Sequence, residues 1–290
     1  MKVAISGITG FIGKQLSDHL LKSGNELIVI SRGDLAGTRN QLAKVINSAD
    51  VIINLAGSPV LQRWNKENRE RILSSRVDTT RLLVEAIRSN SPEHCPKVFI
   101  NASAIGIYKD SGTYDEFSTE LGTGFLAMVC KAWENETVPL KDLGIRLCIV
   151  RIGIVLGRDG GSLGKMVPVF KAGLGGKIGS GRQPFPFIHM SDFCRAIDHL
   201  INHPDSEGIY NLVSPQLTTN IMFTEALASR LLRPMLFTVP EFVLKLVYGE
   251  ASGMLTKGSI VKPTHLQNEG FQFYFPDISK TLADLIHKIY

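Results

Sequence analysis

A glycine-rich turn near the N-terminus has the residue types and the spacing to hold a phosphate group. Gly7, Gly10 and Gly13 follow a strand-like apolar run and precede a helix-like run. Glycine lets the backbone turn tightly and approach a pyrophosphate with no Cβ in the way, and the unpaired N–H groups of the helix then face the anion. Because this turn lies in the first strand–turn–helix unit of the chain, we predict that it binds a dinucleotide.

The end of the second strand-like run favours NADP(H) over NAD(H). In NAD-specific folds an acidic side chain near this position accepts a hydrogen bond from the ribose 2′-hydroxyl, whereas this run ends with Ser31 and Arg32. A serine hydroxyl can donate to a 2′-phosphate, and a guanidinium can pair with that phosphate or stack on the adenine. A solvated arginine at a strand end is the alternative interpretation of Arg32.

The third strand-like run ends in small residues. Ala56 and Gly57 follow Leu55 at this edge, where they leave space for the adenosine ribose and the pyrophosphate. A simple tight turn would also require Gly57. Given the first glycine turn, we favour a cofactor contact at this position.

These residues need a parallel α/β framework to bring them together. Five runs are apolar on both faces and separated by gaps that have room for a crossover helix: residues 2–6, 26–30, 50–54, 97–102 and 146–151. Such runs are typical of a Rossmann-like, doubly wound parallel sheet in an α/β protein. The gap between the second and third runs is short and predicts a reduced helix or a loop.

The pattern changes after residue 151. Glycine and proline are frequent from residue 160 to 186, which predicts substrate-facing loops. Helical patterns then recur over residues 220–232, 240–248 and 279–289. We therefore predict an NADP-binding domain over residues 1–155. Residues 156–290 are expected to form substrate-facing loops and a smaller, mostly helical lobe, partly interleaved with the first domain.

Composition limits the classes of partner. Of the 290 residues, 44% are hydrophobic, and the net charge of +5 comes from basic residues spread along the chain. A folded globular protein is expected and a nucleic-acid partner is not, because nucleic-acid grooves cluster lysine and arginine. No apolar run approaches the roughly 20 residues of a membrane-spanning helix. The sequence begins in a strand-like run without a leader, so we expect a cytoplasmic protein without membrane contact; its oligomeric state is not predicted.

Further motifs resemble a known family. Residues 101–108, with the glycine turn and residues 54–57, resemble the extended and atypical short-chain dehydrogenase/reductases. A more specific similarity is to epimerase-family proteins related to nucleoside-diphosphate-sugar epimerases. It is carried by residues 125–134, 179–183, 188–192, 233–250 and 271–276. The resemblance covers nearly the whole chain and includes the C-terminal helical module of that subfamily.

The resemblance implies a set of residues that contact the cofactor. They include the whole glycine turn from Gly7 to Gly13, and thus Thr9, Phe11 and Ile12. They also include Ser31, Arg32, Leu55 and Ala56. It also places Arg76 of the long helix near the cofactor phosphates and Ile154 near the nicotinamide. Without the resemblance, Arg76 is equally a solvated helix residue and Ile154 a core residue.

The usual catalytic pair of this superfamily is missing. Ordinary members carry Tyr-x-x-x-Lys on one helix, where the ammonium lowers the phenol pKa and the tyrosine transfers a proton. The equivalent positions here are Leu126 and Cys130, and Cys130 is expected to be a buried, inert thiol. The remaining catalytic candidates are Ser103, which orients a substrate oxygen or caps a turn, and Tyr108.

Two further residues are candidates for substrate binding. Arg182 lies in a glycine-rich loop that can bring its guanidinium onto an anionic substrate, or leave it in solvent, and His189 is expected at the pocket wall. His189 and Asp192 have no third metal ligand nearby in the sequence, and the four cysteines lie far apart without a Cys-x-x-Cys pair. No metal site is therefore predicted.

Three functions are consistent with these features. We favour an NADP(H)-dependent oxidoreductase that acts on a CH–OH or carbonyl group of a small molecule, with a nucleotide-sugar or a carbonyl compound as the substrate. The first alternative is an NADPH-binding sensor with little turnover, which the missing Tyr–Lys pair favours. The second is a nucleotide-sugar epimerase, which shares the fold, so that fold alone does not separate the three.

Overall fold

The computed structural model of the protein describes residues 1–158 and 160–286. Its strands are β1 Lys2–Ser6, β2 Glu26–Ile30, β3 Val51–Asn54, β4 Val98–Ala104, β5 Thr113–Tyr114, β6 Arg146–Ile152, β7 Ile154–Leu156, β8 Gly176–Ile178, β9 Phe187–His189, β10 Gly208–Leu212, β11 Phe237–Val239 and β12 Ile260–Val261. Its α-helices are α1 Phe11–Lys22, α2 Arg32–Leu35, α3 Arg39–Ile46, α4 Lys66–Arg88, α5 Phe125–Asn135, α6 Gly161–Lys171, α7 Met190–Asn202, α8 Asn220–Arg230, α9 Glu241–Tyr248, α10 Gly253–Thr256, α11 Thr264–Asn268 and α12 Ile278–Leu285. Short 3₁₀ turns lie at Pro92–His94, Ile105–Ile107, Val138–Leu143 and Gly249–Ser252.

Six strands form one parallel sheet in the order β10-β6-β4-β3-β1-β2. The Rossmann-like α/β prediction is therefore confirmed. The chain reverses its direction of travel across the sheet between β1 and β3, and a crevice opens at such a switch point beyond the carboxyl ends of the strands. The glycine turn follows β1 and residues 55–57 follow β3, so both lie at this crevice.

Helices cover both faces of the sheet, as its apolar strands require. Val3 and Ile5 of β1 pack into one core with α1 and α7. Ala4 between them points to the other face, where α3 and α4 pack. The alternation buries both faces of the central strands against helices, which is why the strand sequences are almost continuously apolar.

The short crossover between β2 and β3 contains two helices, α2 and α3. Each begins with a capping box: Ser31 pairs with Asp34 at α2, and Thr38 pairs with Gln41 at α3. These reciprocal hydrogen bonds satisfy N–H groups that such short helices otherwise leave unpaired. The cap on α2 also fixes the backbone just after β2.

The glycine-rich segment is more ordered than the predicted loops. It contains α6 and the strands β8 and β9, with β9 paired in parallel to β7. A Cβ at Gly157, Gly160 or Gly161 would lie within 2.8 Å of the Phe11 ring. These glycines therefore make room for one aromatic side chain of α1, a packing reason that the sequence pattern did not reveal.

The second part of the chain contributes to the sheet. β10 pairs with β6 as the edge strand, so the sheet extends beyond the predicted boundary at residue 155, in line with partial interleaving. The predicted last helix is observed as α12, and residues 287–289 of that prediction lie outside the described residues. Over those described residues, no helix has the length and apolarity needed to cross a membrane.

Asp192 joins α7 to the C-terminal segment. Its carboxylate is fully buried, and it accepts hydrogen bonds from the backbone N–H groups of Tyr274 and Phe275 at 2.9 and 2.8 Å. It also accepts one from Arg195 at 2.9 Å, one turn along the helix. Asp192 thus braces its own helix and also a segment 82 residues further along the chain.

Replacing Asp192 should therefore destabilise the protein. Asp192→Ala leaves two buried N–H groups without an acceptor, and we expect a loss of about 3 kcal/mol in the free energy of unfolding. Urea denaturation at constant m-value measures this loss. Asp205→Ala, at an exposed aspartate just beyond the same helix, is the matched control and should change little. Equal stability of the two variants would contradict the bracing role.

Candidate dinucleotide cradle and substrate cavity

A buried polar network holds the carboxyl ends of the central strands. The Ser6 hydroxyl donates to Asn54 at 2.7 Å, and the Asn54 amide donates to Asn101 and Thr80 at 2.8 Å each. Ser6 also accepts the backbone N–H groups of Leu55 and Ala56. The network fixes the ends of β1, β3 and β4 relative to one another and to α4.

Two glycines of the N-terminal turn are required by the backbone itself. Gly7 has a φ of +75°, and a Cβ there would lie 2.7 Å from the carbonyl oxygen of Leu55. A Cβ on Gly13 would lie 2.2 Å from the carbonyl oxygen of Gly7. At Gly10 a Cβ would lie 3.2 Å from the same carbonyl oxygen of Gly7, a tight contact that is less severe than those at the other two glycines. Gly10 also lines the cavity, where a side chain would take up space that a ligand could use.

The turn leaves an open helix N-terminus. Gly10 is the N-cap of α1, without a side-chain cap and without an acidic residue in the first turn. The N–H groups of Phe11, Ile12 and Gly13 have no acceptor among the described residues. Free N–H groups at the positive end of a 12-residue helix attract an anion such as a pyrophosphate.

A cavity of about 1350 Å³ adjoins this turn. Gly7, Gly10, Phe11, Ile12 and Gly13 line one end of it, while α9 and residues 252–259 line the other. Ile154, the predicted nicotinamide neighbour, also lines it. The sheet edge and the C-terminal lobe therefore enclose one continuous space. Thr9 is exposed on the turn and lies outside the lining.

The structure changes the interpretation of Ser31. Its hydroxyl donates to Asp34 at 2.5 Å and accepts from the Asp34 N–H, and both groups form the cap of α2. These hydrogen bonds lower the pKa of Asp34, so a carboxylate does stand at the end of β2, three residues beyond the position examined in the sequence. Arg32 is exposed, and its side chain makes no hydrogen bond or ion pair with residues 1–158 or 160–286. Arg32, rather than Ser31, has a free donor group for a phosphate.

Arg76 lies beside the glycine edge of β3. Its guanidinium donates to the carbonyl oxygens of Ile72 and Ser58, lies 5.2 Å from the Trp133 ring centre and lines the cavity. A Cβ on Gly57 would lie 3.0 Å from its Cζ atom. Burial lowers the pKa of Arg76, and no carboxylate among the described residues pairs with it. A partly buried cation without a counter-charge is a suitable neighbour for a phosphate.

Leu55 and Ala56 contribute shape rather than donors. Their N–H groups already bond to Ser6, so neither is free to bind a pyrophosphate. Leu55 lines the cavity, whereas Ala56 and Gly57 lie outside the lining. Gly57 affects the site indirectly, because the absence of a side chain at this position leaves space for the Arg76 guanidinium.

Ser103 is engaged in a buried ion-pair cluster. Its hydroxyl donates to Glu134 at 2.6 Å, and Glu134 also binds the Arg151 guanidinium through two hydrogen bonds of 2.9 Å. Arg151 is 3% exposed. The cluster joins β4, α5 and β6 across the floor of the cavity. Because its only proton is given to Glu134, Ser103 is not positioned to donate to a substrate.

Tyr108 is likewise held by the protein. Its hydroxyl lies 2.9 Å from the Asn211 side-chain oxygen, 3.0 Å from the Asp115 carbonyl oxygen and 3.1 Å from a nitrogen of Arg151. The residue is 3% exposed. Burial raises the pKa of its phenol against the opposing effect of Arg151. The geometry therefore does not support the predicted catalytic role of Tyr108.

The positions of the missing catalytic pair are apolar in effect. Leu126 packs against the backbone at Gly106, where a Cβ would lie 3.3 Å from that of the leucine. Cys130 is 4% exposed, and burial raises the pKa of its thiol to about 11, with a further contribution from Glu134. Lys131 donates to the carbonyl oxygen of Gly122 and not to Cys130. The burial and the raised pKa of Cys130 favour the predicted inert thiol.

The two predicted substrate ligands lie outside the cavity lining. His189 is 4% exposed; its Nδ1 accepts the N–H of Ser191 as the N-cap of α7, and its ring stacks on Phe275 at 3.8 Å. It braces the fold and has no free edge for a ligand. Arg182 is exposed on its loop, which agrees with the solvated alternative.

Other residues form the far end of the cavity. Arg69 lies 4.6 Å from the ring centre of Phe125 and pairs with Glu250. Arg63 donates to the carbonyl oxygen of Val247 at 3.0 Å. These arginines fasten the lobe around α9 onto α4 and the segment before it. No pattern in the sequence linked residues more than 180 positions apart, so this closure was not predicted.

Comparisons with known proteins identify the relatives of this chain. A family model described as the NAD dependent epimerase/dehydratase family matches residues 3–212, and one described as a domain of unknown function (DUF1731) matches residues 239–285. The epimerase family protein SDR39U1 of Mus musculus is 37% identical over 295 residues, which cover 99% of this chain and 100% of the mouse protein.

Solved structures agree with these matches. The crystal structure of human epimerase family protein SDR39U1 with NADPH has a TM-score of 0.92 and 33% identity, with 99% of each chain covered. The nucleoside-diphosphate sugar epimerase from Corynebacterium glutamicum has a TM-score of 0.80 and 28% identity, covering 99% of this chain and 59% of that chain.

The raised pKa of Cys130 leads to a prediction about its reactivity. At pH 8 a thiol with a pKa of about 11 is roughly one part in a thousand thiolate, so the folded protein should be alkylated very slowly at this position. Peptide mass spectrometry after iodoacetamide treatment measures the rate. Cys95, which is only half-buried, is the internal control and should react first. All four cysteines should react alike in urea, and fast labelling of Cys130 in the folded protein would contradict the assignment.

Proposed function

The chain belongs to the NAD dependent epimerase/dehydratase family, and from this premise we propose that it is an NADP(H)-dependent oxidoreductase acting on a CH–OH or carbonyl group of a small molecule. One observation carries the proposal: the glycine turn at Gly7–Gly13 and the C-terminal lobe line the same cavity of about 1350 Å³. A protein that only bound a dinucleotide would not need the space beneath α9. The space suits a second molecule beside the cofactor.

The preference for the phosphorylated cofactor is supported by two cations. The Arg32 side chain is free at the end of β2, and Arg76 has no carboxylate partner among the described residues. Human SDR39U1, a relative of high structural similarity, was crystallised with NADPH. Asp34 opposes this preference, since a carboxylate near the ribose favours a 2′-hydroxyl. We infer that Arg32 outweighs it, because the Asp34 carboxylate already binds the Ser31 N–H and hydroxyl.

The lining of the substrate end is mainly apolar, with charged side chains among it. Val60, Trp64, Phe125, Phe242 and Met254 contribute apolar surface, and Lys245 and Lys257 contribute positive charge. The nearby Arg69 is paired with Glu250, which reduces its ability to bind a sugar diphosphate. The apolar surface supports a carbonyl compound or alcohol with an apolar part as the substrate. The epimerase alternative is supported by the family match and not by a feature of this cavity.

The predicted catalytic residues can help to shape the site, but their hydrogen-bonding groups are already engaged with the protein. Bound NADPH would supply a hydride to the carbonyl carbon, and the carbonyl oxygen must then gain a proton. Ser103 and Tyr108 give their protons to protein acceptors, and Cys130 is protonated but weakly acidic. We infer that water or a donor on the substrate supplies this proton.

A sensor function is the second candidate. It is favoured by the commitment of Ser103, Tyr108 and Cys130 to the protein interior, which leaves the cavity floor without an acid or a base. Such a protein would bind NADPH and a small molecule and convert the latter slowly or not at all. The two functions share the cofactor site and differ in turnover.

The cofactor assignment is tested at Arg32. Loss of its contact to a 2′-phosphate, worth about 1.5 to 3 kcal/mol, should reduce the NADPH preference over NADH by roughly ten- to a hundredfold in Arg32→Ala. Fluorescence titration of both dinucleotides measures the ratio. Arg88→Ala, at an exposed arginine at the far end of α4, is the matched control. Equal affinities of the wild type for NADPH and NADH would contradict the assignment. So would an Arg32→Ala variant that prefers NADPH over NADH as strongly as the wild type does.

Turnover separates the oxidoreductase from the sensor. General acid–base help contributes about 10² to 10⁴ in rate, so single-turnover oxidation of bound NADPH with apolar carbonyl compounds should be slower than in Tyr–Lys enzymes by about that factor. Tyr108→Phe should leave the rate unchanged, because the phenol binds Asn211 and Arg151. A large loss of rate in this variant would restore Tyr108 as the proton donor. NADPH binding without any turnover would favour the sensor.

A further inference from the structure

Four metal-ligating side chains lie together at the ends of two helices. His199 is in the last turn of α7 and His203 directly follows that helix, while His265 is in α11 and Glu269 directly follows it. The rings of His199 and His203 stack with their centroids 5.0 Å apart. We call these four residues the histidine cluster. It holds three of the seven histidines of the chain.

The donor atoms are close enough to share one ion. Ligand atoms of His199, His203 and Glu269 all lie within 4.8 Å of one another, and His199 Nε2 is 2.8 Å from a Glu269 oxygen. Tetrahedral zinc with bonds of 2.0 to 2.1 Å needs ligand atoms about 3.3 Å apart. Small side-chain rotations therefore bring these three groups to coordination distance. All three are partly buried, and thus are shielded yet reachable from solvent.

His265 lies at the edge of this group. Its Nδ1 lies 2.8 Å from the carbonyl oxygen of Ile209, and its Nε2 lies 3.6 Å from a Glu269 oxygen. It is therefore a neighbour of Glu269, but it lies outside the set of three residues whose ligand atoms are all within 4.8 Å of one another.

Hydrogen bonds hold the Glu269 carboxylate in place. Ser206 and Tyr210 each donate to it at 2.6 Å, and His199 Nε2 lies 2.8 Å from it. His203 stacks on the His199 ring and makes one side-chain hydrogen-bond contact within the described residues, between its Nδ1 and Ser206 at 3.4 Å, which leaves its Nε2 for a ligand.

We propose that His199, His203 and Glu269 bind one divalent first-row transition-metal ion, with Zn²⁺ preferred, and that a water molecule completes a tetrahedral set. Imidazole and carboxylate are common ligands of Zn²⁺ in proteins. None of the four residues lines the dinucleotide and substrate cavity. The cluster lies near the start of β10, whereas the glycine turn lies at the opposite, carboxyl ends of the strands. The ion would hold α7 to α11 and stabilise the C-terminal segment.

The sequence analysis predicted no metal site because it considered residues near one another in the chain. His189 and Asp192 were examined together, but His189 caps α7 and Asp192 binds backbone N–H groups. The two pairs of the histidine cluster are separated by 62 residues between His203 and His265. Neither pair alone is a metal motif, and only the packing of β10 beside α7 and α11 brings them together.

Metal binding by untagged protein tests the proposal. After chelator treatment and desalting, the protein should bind one equivalent of Zn²⁺ by calorimetry, and Co²⁺ should give the intense visible bands of tetrahedral coordination. His203→Ala should weaken Zn²⁺ binding at least about tenfold and remove the Co²⁺ bands. His94→Ala, at an exposed histidine of the Pro92–His94 turn, is the matched control and should bind as wild type.

Stability measurements on the metal-free proteins separate a loss of folding from a loss of metal binding. The circular dichroism and thermal midpoint of metal-free His203→Ala should be close to those of the metal-free wild type, because among the described side chains His203 hydrogen-bonds only to Ser206 and otherwise stacks on His199. If that variant were unfolded, His199→Gln would replace it under the same criteria. The proposal would be overturned if the wild type took up no Zn²⁺ or if bound Co²⁺ showed no tetrahedral bands. It would also be overturned if His203→Ala and His199→Gln bound Zn²⁺ with the same affinity as wild type.

Discussion

The buried amide and hydroxyl network at the ends of β1, β3 and β4 is the constraint on which the site depends. Ser6, Asn54 and Asn101 are fully buried, and each hydrogen bond among them satisfies a group that would otherwise cost free energy. Thr80 of α4 joins the network and also accepts the indole N–H of Trp133 from α5. Three strands and two helices are thereby fixed at the crevice, and the glycine turn and the cavity take their positions from them.

Polar groups that border the cavity stabilise the protein rather than act on a ligand. Glu134 and Arg151 form a buried ion pair, and they engage Ser103 and Tyr108 respectively. Separating either charge from its partner would leave an unpaired buried ion, which is strongly unfavourable. The positions of the usual Tyr–Lys pair have meanwhile become a leucine and a high-pKa cysteine. The result is a floor that is rigid and acid–base inert beneath an intact dinucleotide cradle.

The C-terminal lobe completes the cavity through long-range contacts. Arg63 and Arg69 bind the segment from α9 to Glu250, and Asp192 binds the backbone at residues 274–275. Each contact joins a side chain of the first 192 residues to a backbone or carboxylate far along the chain. The histidine cluster would add a fourth connection of the same kind. The lobe is thus attached by charge-assisted contacts, while its apolar residues are available to line the cavity.

The sequence by itself determined the parallel α/β fold, the glycine cradle and the loss of the Tyr–Lys pair. These features depend on local residue order: continuous apolar runs predict covered strands, and glycine spacing predicts a turn whose shape only glycine permits, as the φ of +75° at Gly7 shows. Pattern also indicated that Cys130 is inert. Each of these properties is set by neighbours within a few residues or one helical turn.

Only the tertiary structure decided what the polar side chains do. Ser31 binds Asp34, His189 caps α7, Arg182 remains in solvent, and the hydroxyls of Ser103 and Tyr108 are bound by residues 31 and 103 positions away. The glycines after β7 accommodate Phe11 rather than a substrate. Hydrogen bonding and close packing depend on which atoms lie within about 3 to 4 Å, and chain folding sets those distances between residues that the sequence keeps far apart.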